Sequence, residues 1–306
     1  EKINQGKFGL GPEKKRLALQ KLSGIGTWPQ PTYRFCVHSP RLRAVGENQI
    51  TSLDGTIRKA LYAGNHFELD LSKAHAAVAA REWEKGGLGK LNAWLRKQRD
   101  GTLDFWDALS TTLTTGTSLS DEEAARKAVK RGFYIAVYGG KKRTITYKMA
   151  NLYASETGTR PEPEQIKGFL EHPMVEELLV ARDTKLSKIQ IKGGMRDRFG
   201  RWIGVEDFPH RDNPARTVLS YCSQASELFL LHPVFDLAIE EAKAAERGKK
   251  ERPSFQVLLY QYDGVTIQVA RKEQWKSVAQ KLKDAVDQRA SNEGYTTSLD
   301  VEESPQ

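Results

Sequence analysis

The stretch Arg126–Gly140, RKAVKRGFYIAVYGG, repeats cations and aromatic residues every four positions and ends in two glycines. Four residues of an α-helix advance the chain by about 400°, so each such side chain lies about 40° from the one before. The four side chains form a line that we call the stripe: Arg126, Lys130, Tyr134 and Tyr138. Ser120 and Glu123 predict a capping box at the start of this helix. Gly139 and Gly140 fit its C-terminal end.

The order of groups along the stripe matches the order of groups in a nucleotide, from triphosphate to base. Arg126 and Lys130 can hold phosphates, helped by the positive end of the helix dipole. Tyr134 and Tyr138 offer flat rings on which a sugar or base can pack. The alternative is an amphipathic helix with its tyrosines in the core and its lysines outside, and the helix alone does not exclude it.

The charge of the chain indicates a polyanionic partner. Its 306 residues carry a formal net charge of +9, with a sequence pI near 9.4. Residues 126–148 contain eight Lys or Arg and no Asp or Glu, whereas a solvated helix face usually mixes both signs. This distribution favours nucleic acid as the partner over a merely basic surface.

Several protein classes are disfavoured by the composition. No apolar run approaches the roughly 18 residues of a membrane span, and no secretory signal is visible. The only cysteines are Cys36 and Cys222, which argues against a disulfide scaffold and fits a reducing cytoplasm. The chain does not begin with Met, so it is compatible with a fragment of a longer protein.

Helices mixed with a few antiparallel strands predict the α+β class. The segment HFELDLS (66–72) predicts a strand, and KGGMRDRFGRWIG (192–204) predicts a hairpin. FQVLLYQYDGVTIQVA (255–270) predicts two strands joined at Asp263–Gly264. The polar segment 291–306 is expected to be disordered.

Two acidic residues lie in apolar strand contexts, Asp70 in FELDLSKAH and Asp263 in LLYQYDGVTI. A buried aspartate is costly unless it is paired or bound to a metal. Nucleotidyl transfer uses carboxylates to hold two Mg²⁺ ions. We call Asp70 and Asp263 the acidic pair. The alternative for Asp263 is a turn residue, because Asp-Gly makes good hairpin turns.

Together these segments resemble the family A DNA polymerases, the group that includes bacterial repair polymerases and many phage replicases. LDLSKAHAAVAAR resembles the first catalytic motif, and RKAVKRGFYIAVYG matches the finger-helix motif Arg-x3-Lys-x3-Phe/Tyr-x3-Tyr-Gly. RFGRWIG resembles the Phe-Gly-Arg-Arg-Arg turn, RTVLSYCSQ resembles Arg-x3-Asn-x3-Gln, and QYDGV resembles His-Asp-Glu. GENQITSLDGTIRKAL resembles the segment ahead of the first motif. The resemblance covers about residues 34–285.

The resemblance implies a polymerase right-hand fold with an antiparallel-sheet palm and a helical fingers subdomain. Only 69 residues precede Asp70, so the usual thumb does not fit there intact. The expected divisions are 1–30 as an N-terminal segment or thumb remnant, 31–88 as the first part of the palm, 89–211 as the fingers, 212–290 as the second part of the palm, and 291–306 as a disordered tail.

The resemblance also assigns roles at the reacting end of the nucleotide. Asp70 and Asp263 are expected to bind two Mg²⁺ ions, or Mn²⁺, with help from the Leu71 carbonyl. Arg126 and Lys130 are expected to hold the triphosphate. Lys130 is further expected to protonate the departing pyrophosphate.

Contacts to the sugar, the base and the nucleic acid are implied in the same way. Tyr134 is expected to pack on the incoming sugar and base, and Tyr138 and Gly139 to border the templating base. The expected nucleic-acid contacts are Arg216 and Gln224 in the minor groove, Arg201 at a backbone, and Arg34 at the primer.

Three departures from the family pattern bear on function. Tyr262 and Gly264 stand where His and Glu are usual, so a secondary carboxylate is lost. Ser220 replaces the usual Asn. His75 stands where the family has the Glu that blocks a ribose 2′-hydroxyl. An imidazole can obstruct that hydroxyl or donate to it, so the sugar preference stays open.

The resemblance implies a template-directed DNA polymerase that extends a primer 3′ end. Its expected partners are primer-template nucleic acid and nucleoside triphosphates, with an upstream domain or accessory protein in place of the thumb and no membrane. The expected location is the cytoplasm of a bacterial or phage-infected cell, or the nucleoid. Alternatives are a primase-like or RNA-synthesising polymerase, an inactive nucleic-acid-binding relative, and a basic structural protein that binds DNA without specificity.

Overall fold

The computed structural model describes residues 12–24, 32–36, 39–45, 53, 57, 65–114, 119–249, 251–261 and 263–302. The helices within these ranges are α1 (Pro12–Gly24), α2 (Ala74–Glu82), α3 (Gly89–Arg99), α4 (Phe105–Ser110), α5 (Leu119–Val137), α6 (Lys142–Thr157), α7 (Pro163–Glu171), α8 (Pro173–Lys192), α9 (Pro214–Glu246) and α10 (Trp275–Glu293). The strands are β1 (Thr32–Cys36), β2 (Ser39–Val45), β3 (His66–Leu71), β4 (Gly194–Arg196), β5 (Trp202–Gly204), β6 (Phe255–Gln261), β7 (Gly264–Val269) and β8 (Leu299–Glu302).

All strand pairs are antiparallel and helices dominate the rest, so the α+β class is confirmed. The chain divides into two compact units. Unit 1 contains Glu1–Ser72, Leu230–Arg289 and Leu299–Gln306, and unit 2 contains Lys73–Phe229 and Ala290–Ser298. These boundaries differ from the predicted divisions at 88 and 211. The assignment of palm and fingers stays a prediction.

Unit 1 is built on a four-stranded sheet in the order β6-β7-β3-β8. The side chains of β3 alternate: Phe67, Leu69 and Leu71 are buried, whereas Asp70 is exposed. Since successive strand residues point to opposite faces, one face of β3 packs in the core and the other carries Asp70. The predicted strand at 66–72 is therefore confirmed.

The C-terminal segment is ordered, contrary to the expected disorder of residues 291–306. Helix α10 extends to Glu293, and β8 pairs with β3 from Leu299 to Glu302. Leu299 is 1% exposed, and its N–H donates to Asp287 Oδ1 at 2.8 Å. The polar composition of this segment did not indicate β8, because that strand is buried by pairing with β3, which is distant in the sequence. Residues 303–306 lie outside the described ranges.

Unit 2 is helical, and α5 lies at its core. Val129 and Phe133, one turn apart on α5, are both fully buried. The Phe133 ring packs edge-on against Phe105 at 5.3 Å between centroids. Gly132 faces α6, where an added Cβ would lie 2.2 Å from Met149 Sδ. One side of α5 is therefore buried in the core, and the stripe lies on the more exposed side of the helix.

The two glycines end α5 as predicted. Gly139 has φ 78°, and its N–H donates to Ala136 O at 3.0 Å. The N–H of Gly140 donates to Ile135 O at 2.7 Å, which completes a Schellman motif. Buried Arg182 donates to the Gly140 carbonyl at 2.6 Å. At the other end, the helix begins at Leu119, one residue before the predicted cap Ser120, whose side chain lies outside the described residues.

No helix in the described ranges is long and apolar enough to span a membrane.

The ordered segment predicts a stability effect at Asp287, which holds β8 through Leu299 and also accepts from Lys283 Nζ at 2.6 Å. Asp287→Ala should lower the free energy of unfolding of unit 1 by about 1–3 kcal/mol, because these charge-assisted bonds are lost. It should also raise amide exchange rates across Leu299–Glu302. Urea denaturation and amide exchange measure the two effects.

The matched control is Asp284→Ala, which removes an exposed carboxylate on the same helix that accepts from Gln280 Nε2 at 2.7 Å. It should change stability by no more than about 0.5 kcal/mol. Unprotected amides in 299–302 of the unmodified protein would contradict the ordered strand.

Candidate active site

The acidic pair belongs to the unit 1 sheet, with Asp70 on β3 and Asp263 in the turn between β6 and β7. Asp70 is opposite Gly264 in the β3–β7 register, so Asp263 is the residue just before its partner. The Leu71 N–H donates to the Asp263 carbonyl at 3.0 Å. Gln261 is opposite Gly264, which makes Asp263 part of the connecting turn of a hairpin. The predicted hairpin is confirmed, with its turn one residue earlier; Tyr262 lies outside the described residues.

A third carboxylate, missed by the sequence analysis, neighbours the acidic pair. Asp300 on β8 lies directly opposite Asp70 and is exposed. Directly opposed residues of an antiparallel pair share one face of the sheet. Asp300 was overlooked because its segment was expected to be disordered.

The side chains of Asp70 and Asp263 are the expected protein ligands for Mg²⁺. Within the described residues, no group of three or more His, Cys, Asp or Glu side chains is arranged to hold a metal ion. Mg²⁺ is usually held by one or two carboxylates, with waters and substrate phosphates completing its shell. Asp70 on β3 and Asp263 in the adjoining β6–β7 turn can supply hard oxygen donors, and this chemistry fits that ion.

In unit 2, the first cation of the stripe is held by two acids at the start of α4. Arg126 forms an ion pair with Asp107 and lies 3.3 Å, Nη2 to Oδ2, from Asp104. Partial burial raises the pKa of Asp104, but the Asp107 N–H, Arg126, the Trp106 N–H and Lys73 together lower it below its usual value. Asp104 is therefore ionised at neutral pH, and it caps α4 by accepting from Trp106 N and Asp107 N at 2.9 Å.

The second cation of the stripe lies over an aromatic ring. Lys130 Nζ is 5.9 Å from the Trp106 ring centroid, and Lys73 Nζ is 5.7 Å from the same centroid. Lys73 has a left-handed backbone, with φ 51°. Two ammonium groups held by one indole form a basic patch next to Arg126. Trp106 and Lys73 are parts of the site that the sequence analysis did not identify.

The two tyrosines of the stripe meet His75. The His75 ring lies edge-on to Tyr134 at 5.9 Å and to Tyr138 at 4.8 Å between centroids. The Tyr138 hydroxyl hydrogen bonds to His75 Nε2, and His75 Nδ1 contacts the carboxylate of Glu227. Tyr134 also packs against Trp106 at 5.7 Å. His75 therefore joins the stripe, at its aromatic end.

Arg216, at the start of α9, lies at the end of α5. Its Nε donates to the Tyr138 carbonyl, and its own N–H donates to Asn213 Oδ1 at 3.0 Å. A Cβ at Gly139 would lie 2.8 Å from Arg216 Cγ. Glycine at position 139 thus provides both the positive φ and the room for this arginine.

Three further predicted residues lie elsewhere. Gln224 is two turns along α9 from Arg216 and donates to Ser220 Oγ at 3.2 Å. Arg201 is on the β4–β5 hairpin and is paired with buried Asp197 at 2.8 Å. Arg34 is on β1, opposite Arg43, and its side chain lies outside the described residues.

Glu227 is the most buried charged residue near the stripe, with 0% exposure. Sequence reasoning missed it because it occurs in a long amphipathic helix, three residues after Gln224. The one available signal was a carboxylate in an otherwise apolar stretch, ASELFLL. No local pattern linked that residue to His75.

Comparisons with known proteins give evidence at the level of structure alone. No protein-family model matches the sequence, and no curated protein matches it. The fold is similar to a solved structure of the polymerase domain of Pol1 from M. smegmatis, in complex with DNA primer-template and dNTP. The TM-score is 0.65 and the identity is 12%, over 95% of this chain and 50% of that chain.

The chain spans half the length of the structure it matches, and at this identity the likeness concerns the fold. This protein is therefore a mixed helical and antiparallel-sheet protein whose fold is similar to that of a bacterial DNA polymerase domain.

Proposed function

We propose that this chain is a template-directed DNA polymerase of the family A type, which adds nucleotides to a primer 3′ end. The observation that carries the proposal is the assembled stripe, which has cations at one end and two tyrosines with His75 at the other. The fold similarity to a polymerase domain supports it independently. In this proposal the unit 1 sheet is the palm and the unit 2 helices are the fingers.

The proposed substrate is a nucleoside triphosphate aligned along the stripe. Arg126, Lys130 and Lys73 supply positive charge for the phosphates. The two ammonium groups lie over the Trp106 ring, and the guanidinium is held by Asp104 and Asp107. Tyr134 provides a flat ring for the sugar and base. Tyr138 and Gly139 border the templating base, and Arg216 and Gln224 contact the primer-template duplex.

The acidic pair, with the Leu71 carbonyl, would hold Mg²⁺, which activates the primer hydroxyl and neutralises phosphate charge when bound. Lys130 donates a proton to the pyrophosphate oxygen as the bond to the α-phosphorus breaks. Trp106 limits the positions that the Lys130 ammonium can take. Arg126 must exchange Asp107 and Asp104 for phosphate oxygens when the nucleotide binds.

The second candidate is a polymerase that also accepts ribonucleotides. It is favoured by His75, because position 75 lacks the carboxylate that family relatives place there. An inactive nucleic-acid-binding relative is disfavoured, because both acids and all four stripe residues are retained. A primer-extension assay with deoxy- and then ribonucleotides tests the proposed function. Absence of extension with either substrate at saturating Mg²⁺ would refute it.

The acidic pair predicts separable effects on chemistry and on binding. Asp70→Asn or Asp263→Asn should abolish nucleotide addition, because each removes a metal ligand while the turn and strand tolerate asparagine. Affinity for primer-template should stay within about twofold, since basic side chains supply most of it. Primer extension and fluorescence anisotropy measure the two quantities.

Two matched variants sharpen this test. Asp284→Asn, on α10 of the same unit, should keep full activity. Asp300→Asn removes a charge opposite Asp70 without removing a proposed ligand, so it should weaken apparent Mg²⁺ affinity by less than about tenfold. Undiminished extension by the Asp70 or Asp263 variant would refute the metal assignment.

The two cations of the stripe should have different kinetic effects. Lys130→Ala should lower the maximal single-turnover rate by about 10²–10⁴-fold, because proton donation to the leaving group is lost. Arg126→Ala should mainly raise the nucleotide concentration needed for half-maximal rate. Lys127→Ala is the control, since Lys127 lies on the same helix but pairs with Glu123 and Glu156. Wild-type kinetics in both stripe variants would contradict a triphosphate site here.

The contact between Arg126 and Asp107 predicts competition with the nucleotide. Asp107→Asn should lower the half-saturating nucleotide concentration by less than about tenfold, because an exposed ion pair is worth at most about 1 kcal/mol. Asp107 is preferred to Asp104 for this test because its side chain does not cap α4. In the Arg126→Ala background the same substitution should have no effect. Equal effects in both backgrounds would show that Asp107 acts otherwise.

A further inference from the structure

The starting observation is a chain of three polar groups in unit 2, of which His75 and Glu227 are buried and Tyr138 is half-buried. His75 is 8% exposed and Glu227 is 0% exposed. The imidazole contacts the Tyr138 hydroxyl through Nε2 and the Glu227 carboxylate through Nδ1. The three groups come from separate parts of the chain: Tyr138 directly follows α5, His75 is on α2 and Glu227 is on α9.

With Glu227 as a carboxylate, the chemistry of the three groups fixes where the protons lie. An ionised carboxylate only accepts hydrogen bonds, so Glu227 requires a proton on His75 Nδ1. In a neutral imidazole, Nε2 is then the acceptor, and the Tyr138 hydroxyl donates to it. In an imidazolium, Nε2 donates to the Tyr138 oxygen instead. In both cases each ring nitrogen is already engaged.

The burial of His75 and Glu227 makes the contact between them costly to break. A carboxylate with no exposure is stabilised only if hydrogen bonds or an opposite charge compensate its desolvation, and removing a partner leaves it uncompensated. Rotation of His75 away from Glu227 would therefore be costly. The ring is held at a fixed orientation, edge-on to both tyrosines of the stripe.

We propose that Glu227 is a specificity-determining positioning residue, which fixes the tautomer and orientation of His75 so that residue 75 excludes a ribose 2′-hydroxyl by bulk and not by hydrogen bonding. The inference rests on the proposed function, because it assigns sugar selection to the aromatic end of the stripe. It also resolves the two alternatives for His75, since neither ring nitrogen is left to donate to a ribose.

The test compares two variants at position 227. Glu227→Gln keeps the size and an acceptor oxygen, whereas Glu227→Met keeps the approximate volume and has no comparable acceptor. The ratio of incorporation efficiencies for matched deoxy- and ribonucleotides should fall by about tenfold in Glu227→Met, equivalent to about 1.4 kcal/mol. It should stay within about twofold of wild type in Glu227→Gln. Glu240→Met, at an exposed position of α9, is the control.

A second readout needs no catalysis. In protein labelled with ¹⁵N-histidine, long-range proton–nitrogen spectra should show His75 Nδ1 protonated in the wild type and in Glu227→Gln. This protonation should be lost or averaged in Glu227→Met. A His75→Ala spectrum identifies the resonance. If Glu227→Met fails to fold, as judged by circular dichroism, the wild-type spectrum still decides: an Nε2-protonated neutral ring would overturn the proposal.

The outcomes separate this inference from the proposed function. Active enzyme with an unchanged sugar ratio in Glu227→Met overturns the inference and leaves the polymerase proposal standing. No nucleotide addition by wild type overturns the proposed function, and sugar selection with it. A changed ratio together with a changed His75 spectrum, rescued by glutamine in both measurements, supports the inference.

Discussion

The packing of Phe133 beneath helix α5 determines which side of that helix remains for the stripe. Phe105 and Trp106 surround the Phe133 ring, at 5.3 and 5.5 Å between centroids. Trp106 connects this core packing to the stripe, because the same indole lies under Lys130 and against Tyr134. One aromatic cluster thus links the core of unit 2 to its polar surface. A disturbance in the core would reach the cationic end of the stripe through these rings.

Two groups of the stripe have polar partners within the protein. Arg126 is held by two carboxylates, and half-buried Tyr138 contacts His75, which contacts buried Glu227. Such internal partners keep the side chains ordered at a modest cost, because a ligand must replace the exposed pairs but not the buried ones. At the exposed end of the stripe, Arg126 can therefore exchange its partners. At the aromatic end, the contacts of His75 hold the side chains in place.

The sequence predicted correctly those features that depend on residues close together in the chain. The four-residue spacing on α5, the two glycines that end it, the β6–β7 hairpin and strand β3 follow from helix geometry, positive φ and alternation. Trp106, Asp300 and Glu227 were missed because each acquires its role from a partner far away in the chain. Strand β8 was missed for the same reason, since Leu299–Glu302 lie in a largely polar segment and form a strand only beside β3.

The position of β3 in its sheet affects the order in which the chain can fold. Its neighbours are β7 and β8, which are synthesised only after the whole of segment 73–229. Strand β3 therefore waits for partner strands of high sequence separation, and such pairing is slow to form. During that interval Phe67, Leu69 and Leu71 lack the sheet that buries them. Newly made chains are therefore exposed to aggregation at this strand, and slow translation or a chaperone would change the yield of folded protein more than its final stability.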